Sequence, residues 1–414
     1  MIKRIRPFLL LLVIAIPLTA GWSAETPVSA PAARDQRFPA VVATSTGYLA
    51  AWEERKSIDS RVVVAPLGPA GQGEPIPVLS SAMHQVEPAL ASAGDVVVVM
   101  WVESGGLPGF VAKAQRFTAD GVPLDSEPVE LGESVYVGYD FERVAAIWSG
   151  RYFLLAWSGK EGLRFVRMSR EGIVLDSEPQ TIPQSERVRN LPSTALYQLE
   201  PGFARTGDHL FLVFQSSWDP RCMITCPTPP PPARIEGVRL DSEGNVLDAE
   251  PIVFSQGKDA FGETYPEVAS DGERFVVVWG FASAFVHGAR VSVDGVVDRI
   301  FGLDTFFARV EALADTKNGV LLLTLEAPLD GGREIVMRKI SSGGAVGSPQ
   351  VLASGNVAPE LWLSEPVREV AIATRDDGSL AVIFGRVDPE PAPILRLWYR
   401  TFEPTLRRRA AVRR

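Results

Sequence analysis

"YPEVASDGERFVVVW" spans Tyr265 to Trp279. It reads as a short apolar segment, a Gly-containing turn, and a nearly continuous apolar run closed by an aromatic residue. The run "RFVVVW" is too short for a helix and rich in Val, so it is expected to be a buried strand. The same grammar recurs in "FPAVVATSTGYLAAW" to Trp52, "EPALASAGDVVVVMW" to Trp101 and "EPGFARTGDHLFLVF" to Phe214. The offset from Pro39, Pro88, Pro201 and Pro266 to the closing aromatic is the same in all four. Weaker copies end at Trp157, Leu325 and Phe384.

Each copy continues into an alternating segment that carries basic residues, as in "LRFVRMS" and "HGARVSV". Alternation places one face inward and one outward, which suits a third strand nearer the rim. An acidic phrase follows in three copies: "DGVPLDSEP" from Asp120, "EGIVLDSEP" from Glu171 and "EGNVLDAEP" from Glu243. A row of cation sites is one reading of these carboxylates. A recurring hairpin is the other, and the turn chemistry favours it, because Gly121 accepts the positive φ of a tight turn. Pro128 then opens an outer strand, where a missing N–H costs least. Other copies keep the turn and vary the acids, as in "VDGVVDRI" from Val293.

Four strands per copy, repeated every 40 to 60 residues, is the plan of a β-propeller. The expected fold is all-β, a single propeller of about seven four-stranded blades. The last copy, "REVAIATRDDGSLAVIFGRVDPEPAPILRLWYRTFEP", has three strands and no fourth. Thr26 to Ser29 is expected to supply the missing outer strand and close the ring, leaving no open edge at the seam. The chain resembles secreted bacterial β-propeller proteins built on P-x-V-A-x-x-G-x-x-F-V-V-V-W repeats. That resemblance covers nearly all of the chain after its leader and implies architecture without chemistry. The WD dipeptide is absent from the strand ends where it would be needed, and the sialidase Asp-box and the D-x-D-x-D-G calcium loop are not matched.

Residues 1–24 read as a signal peptide. Lys3, Arg4 and Arg6 precede the apolar stretch "FLLLLVIAIPL", and small residues follow. The stretch is well short of the roughly 20 residues of a spanning helix. An uncleaved anchor is the alternative. No second long apolar run follows, so no transmembrane segment is expected once the leader is removed. The expected location is secreted or periplasmic, with the propeller at 25–404 and a basic tail at 405–414. Arg407, Arg408, Arg409, Arg413 and Arg414 in that tail point either to weak contact with anionic envelope surfaces or to a solvated terminus.

The 414 residues are 46% hydrophobic and carry a formal net charge of -9, with 41 basic and 50 acidic residues. An acidic chain is a poor nucleic-acid binder, since Lys and Arg supply most of that affinity. Cys222 and Cys226 stand close together, and an exported chain makes a local disulfide the default reading. A metal pair would need further ligands, and His84, His209 and His287 are scattered. No metal and no cofactor are expected. The G-x-S-x-G elbow, phosphate loop and dinucleotide fingerprint are all missing.

The strand-end aromatics are expected to fill the space between blades. Glu53, Glu54, Glu103 and Glu326 follow second-strand ends, on the face that holds the ligand mouth. Glu53, Glu103 and Glu326 are therefore the weak catalytic candidates, with a solvated rim as the plain alternative. Long loops on that face offer Tyr136, Tyr139, Asp140, Arg187, Arg189, Asn190, Tyr197, Trp218 and Asp219 as ligand-binding candidates. The expected function is an exported binding or scaffold module for a protein or glycan. A carbohydrate-active hydrolase or lyase using mouth carboxylates is the alternative.

Overall fold

The computed structural model describes residues 21–404 apart from 31–32, 58, 69–70, 81, 83, 105–108, 135–143, 160–161, 187–195, 219–232, 256–262, 282–284, 304–307, 329–331, 358–368 and 389–393. Among the described residues, strands are the only regular elements longer than one residue. They form seven separate antiparallel sheets, the seven blades of a β-propeller. The first strands, which wall the central channel, are Asp35–Ala43, Gln85–Ser92, Val144–Trp148, Leu196–Thr206, Glu263–Ser270, Ala308–Thr316 and Val370–Thr374. Second and third strands follow outward in chain order within every blade.

The ring closes as the missing fourth strand predicts. Thr26 and Pro27 pair with Tyr399 and Trp398 of the last blade, and Val28 N–H donates to Leu397 O at 3.0 Å. Pairing also begins earlier than the boundary at residue 24. Gly21 and Trp22 pair with Glu403 and Phe402, and the Trp22 ring lies 5.5 Å from that of Phe402.

Junctions between blades carry the core. Trp52 packs against the last blade (Ile383, Leu397, Tyr399), and Trp101 against the first (Leu49, Val62, Val64). Trp157 and Phe214 each pack on the blade before them, as do Trp279 and Phe384. Large aromatics suit this position because one ring fills a gap two sheets cannot close themselves. The sixth blade departs from the sequence reading. Register pairs Val310 with Thr324, as it pairs Val144 with Trp157, so Thr324 rather than Leu325 holds the aromatic's place. The buried Arg338 fills that gap, donating to Thr324 Oγ1 at 3.2 Å and pairing with Glu326.

A second device recurs at these junctions. Gln36, Gln85 and Gln198 each stand three residues before Pro39, Pro88 and Pro201. Each side-chain oxygen accepts a backbone N–H from the third strand of the preceding blade: Leu397, Val62 and Leu163, all at 2.9 Å. Ser255 Oγ does the same for Ile235 N–H at 2.9 Å. These N–H groups sit at buried positions where an unpaired donor is costly.

The acidic phrases lie at the opposite end of the blades from the mouth, on what we call the turn face. Asp125, Asp176 and Asp248 each accept from an arginine of the neighbouring strand, with Arg116, Arg167 and Arg239 Nη2 at 2.6 Å. The same guanidiniums donate to carbonyls in the next blade's hairpin, Arg170, Glu243 and Val293. The phrase is a clamp between hairpins, and its central aspartate is occupied by a guanidinium group.

Gln198→Leu should strip the partner from Leu163 N–H and destabilise the chain by about 1–3 kcal/mol. Urea unfolding checks this, with exposed Gln350→Leu as the control expected to stay within about 0.5 kcal/mol.

Candidate functional site

The channel has two ends. The mouth end is reached from the second-strand ends and the connections between blades. Here the first strands share a bulge. Register slips between Arg37 and Ala40, Val86 and Ala89, Leu199 and Gly202, and Thr264 and Glu267. Phe38, Glu87, Glu200 and Tyr265, each just before a proline, take φ values of 49° to 55°. A bulge breaks the ladder and leaves backbone groups in need of other partners. Carboxylates of the preceding blade supply some of them. Glu200 Oε2 accepts Tyr265 N–H at 2.9 Å, and Glu311 Oε2 faces Glu369 N–H at 3.4 Å.

The result is a floor of acidic side chains. Phe38, Glu87, Glu200, Tyr265, Glu267, Arg309 and Glu311 line a cavity of about 270 Å³. All four of these glutamates are buried in the wall. Glu311 pairs with Arg309. Burial pulls the Arg309 guanidinium down, but the Glu311 carboxylate more than offsets it and raises it overall. Behind this layer, Glu369 is 1% exposed, and neither of its carboxyl oxygens has a hydrogen-bond partner among the described residues. Burial pushes its carboxyl up to about 8, against the pull of Arg309.

The glutamates singled out from the sequence stand elsewhere. Glu53 and Glu103 are buried, not on a solvated rim, and Glu326 has only 17% of its side chain exposed. Glu53 pairs with Arg55 and Glu54 with Arg61. Glu103 accepts from Trp101 Nε1 at 2.9 Å and from Ser80 Oγ at 2.6 Å, and pairs with Lys113 at 2.7 Å. Glu326 pairs with Arg338. None of these four lines the mouth cavity. Burial pushes the Glu53 carboxyl up to about 7, despite Arg55, Arg37 and the Glu87 N–H.

Tyr197 and Trp218 fall on adjacent strands at the mouth end of the fourth blade, where Leu196 pairs with Trp218 and Tyr197 with Ser217. Tyr136, Tyr139, Asp140, Arg187, Arg189, Asn190 and Asp219 lie outside the described residues, as do Cys222 and Cys226, the basic tail and most of the leader. His84 does meet a serine: its Nδ1 is 2.9 Å from Ser60 Oγ. Ser60 is fully buried, so it cannot reach a substrate as a nucleophile. Among the described residues, no group of three or more His, Cys, Asp or Glu has the geometry to hold a metal ion. No helix among them is long and apolar enough to cross a membrane.

No protein-family model matches the chain, and no curated protein matches it by sequence. Solved structures do match. A polysaccharide lyase of family 25, an ulvan lyase, gives a TM-score of 0.54 at 9% identity, over 90% of this chain and 95% of its own. A protein of unknown function from Dyadobacter fermentans gives 0.48 at 12% identity, over 92% and 98%. The lectin SapL1, solved with α-methyl fucoside, gives 0.41 at 11% identity, over 77% and 96%. At such identities the likeness is one of fold.

The raised carboxyls set a pH dependence. Glu53 and Glu369 keep a proton in the folded chain that the unfolded chain releases near the ordinary value of 4.5. The folded state thus binds more protons between roughly pH 4.5 and 8, so their contribution is fully present below that window and lost as pH rises through it. Stability from urea unfolding should fall by several kcal/mol between pH 5 and pH 9, and Glu369→Gln should flatten the slope. A slope unchanged in that variant would contradict the assignment.

Proposed function

We propose that the protein is an exported binding module that recognises a protein or glycan across the mouth face. One observation carries this reading. The mouth cavity is concave, and four glutamates, one tyrosine and one arginine stand in its otherwise apolar lining. Carboxylates there offer many acceptor sites to hydroxyl or amino groups of a ligand. The second-strand glutamates, by contrast, are held in ion pairs away from the cavity. The strands flanking residues 135–143, 187–195 and 219–232 end at this mouth, so Tyr136, Tyr139, Asp140, Arg187, Arg189, Tyr197, Trp218 and Asp219 belong to the proposed recognition surface. Cys222 and Cys226 would staple the longest of these loops as a disulfide.

A hydrolase or lyase reading keeps one observation in its favour. Glu369, with its carboxyl pushed up to about 8, stands beside Glu311, which pairs with Arg309. A carboxyl group that holds its proton beside a second, arginine-paired glutamate is an arrangement that acid–base chemistry can use.

The test is capture on glycan and protein arrays. The full chain is compared with a variant in which residues 219–232 are replaced by a short Gly-Ser turn, and with Glu267→Gln. Each change should lower capture at least about tenfold, the scale of a single lost charged contact. Equal capture by all three would remove the mouth face. Depolymerisation of a captured polysaccharide, abolished by Glu311→Gln, would favour the enzyme.

A further inference from the structure

The channel is divided by an apolar waist. Val41, Leu90, Ala146, Phe203, Leu313 and Ile372 border both the mouth cavity and a second cavity. That second cavity opens on the turn face and holds about 880 Å³, within the range of about 300–1,000 Å³ typical of small-ligand sites. The two cavities adjoin at the waist and differ in their polar linings.

The wall is uneven in a way that points to a ligand. At the first-strand position paired with the residue four before each second-strand aromatic (before Thr324 in the sixth blade), five blades carry Ala43, Ser92, Ser270, Asp315 and Thr374, and the fourth carries Arg205. In the third blade the position is Trp148, which lines the cavity. Trp148 is braced from behind by Phe153, with ring centroids 4.7 Å apart. Two residues on, Gly150 has φ 96°, and a Cβ there would meet the Arg205 guanidinium at 2.5 Å. The arginine therefore lies flat over the third-blade turn. Its Nε donates to Gly207 O at 2.8 Å, which fixes the group and leaves both terminal nitrogens as donors.

Arg205 has no ion-pair partner among the described residues, and neither has Arg375, which lines the same cavity from the last blade. Three acids share the wall with these two arginines, and the Arg375 charge already acts on Asp377. Asp315 Oδ1 accepts Ser270 N–H at 2.7 Å, and Asp377 Oδ1 accepts from Ser379. Asp376 stays exposed to water. A fixed guanidinium fork matches a planar carboxylate, and an indole face matches the C–H face of a pyranose ring.

We propose that this turn-face cavity is a binding site for a carboxylated sugar. The ring stacks on Trp148, its carboxylate takes the two terminal nitrogens of Arg205, and Arg375 supplies charge from across the cavity.

The experiment is saturation-transfer NMR and calorimetry on the full chain with D-galacturonate and D-glucuronate, and with methyl glucoside as the neutral counterpart. A uronate should bind, methyl glucoside at least about tenfold more weakly, and added salt should weaken the uronate. Arg205→Gln and Trp148→Leu should each lower uronate affinity at least about tenfold while thermal unfolding shows a folded chain. Glu267→Gln, at the mouth, should leave it unchanged. Lack of uronate binding, equal binding of methyl glucoside, or full affinity in Arg205→Gln would each overturn the proposal. Loss in Glu267→Gln alone would move the ligand to the mouth.

Discussion

Everything in this molecule depends on the joint between one blade and the next. A single four-stranded sheet has two apolar faces and cannot bury either alone. Stacking seven of them in a ring buries both, provided that every joint is dry and every backbone group inside it is paired. The aromatic at the second-strand end removes the void. The glutamine three residues before the proline removes the unpaired N–H. The Arg–Asp clamps tie the hairpins of consecutive blades on the turn face. Blade six shows the constraint by exception: without the ring at Thr324, an arginine and a glutamate fill the space instead.

The same joints build the channel. The first-strand bulge turns Glu87, Glu200 and Tyr265 toward the lumen and exposes N–H groups that neighbouring carboxylates must satisfy. The acidic floor at the mouth is thus first a consequence of closing the ring. Its use as a recognition surface is built on that necessity. The turn-face cavity has a different origin. There the bulge is absent, and Trp148 and Arg205 occupy equivalent positions in neighbouring blades.

The fold was legible because each blade repeats one pattern of apolar runs and turns, and because the last copy lacked a strand that Thr26 and Pro27 supply. Leu325 misled because it merely continues an apolar run, while Thr324 hides the register by lacking a ring. Gln36, Gln85 and Gln198 were visible at a fixed spacing, but their meaning lies in a partner some 20 to 360 residues away. The site was less legible. Glu53, Glu103 and Glu326 look available in sequence, yet each folds back onto a cation two to twelve residues along its own hairpin. Glu87 and Glu200 look like turn residues before proline, and only ring closure brings them to one cavity. Trp148 and Arg205 were no brighter than other polar or aromatic residues until the third and fourth blades met.

Amide hydrogen exchange tests the joint most directly. The N–H groups of Val62, Leu163 and Leu397 face a neighbouring blade's glutamine rather than a strand. Their protection should equal that of ladder amides in the second strands and be lost at Leu163 in Gln198→Leu. Exchange of these three amides at the rate of an exposed edge strand would contradict it.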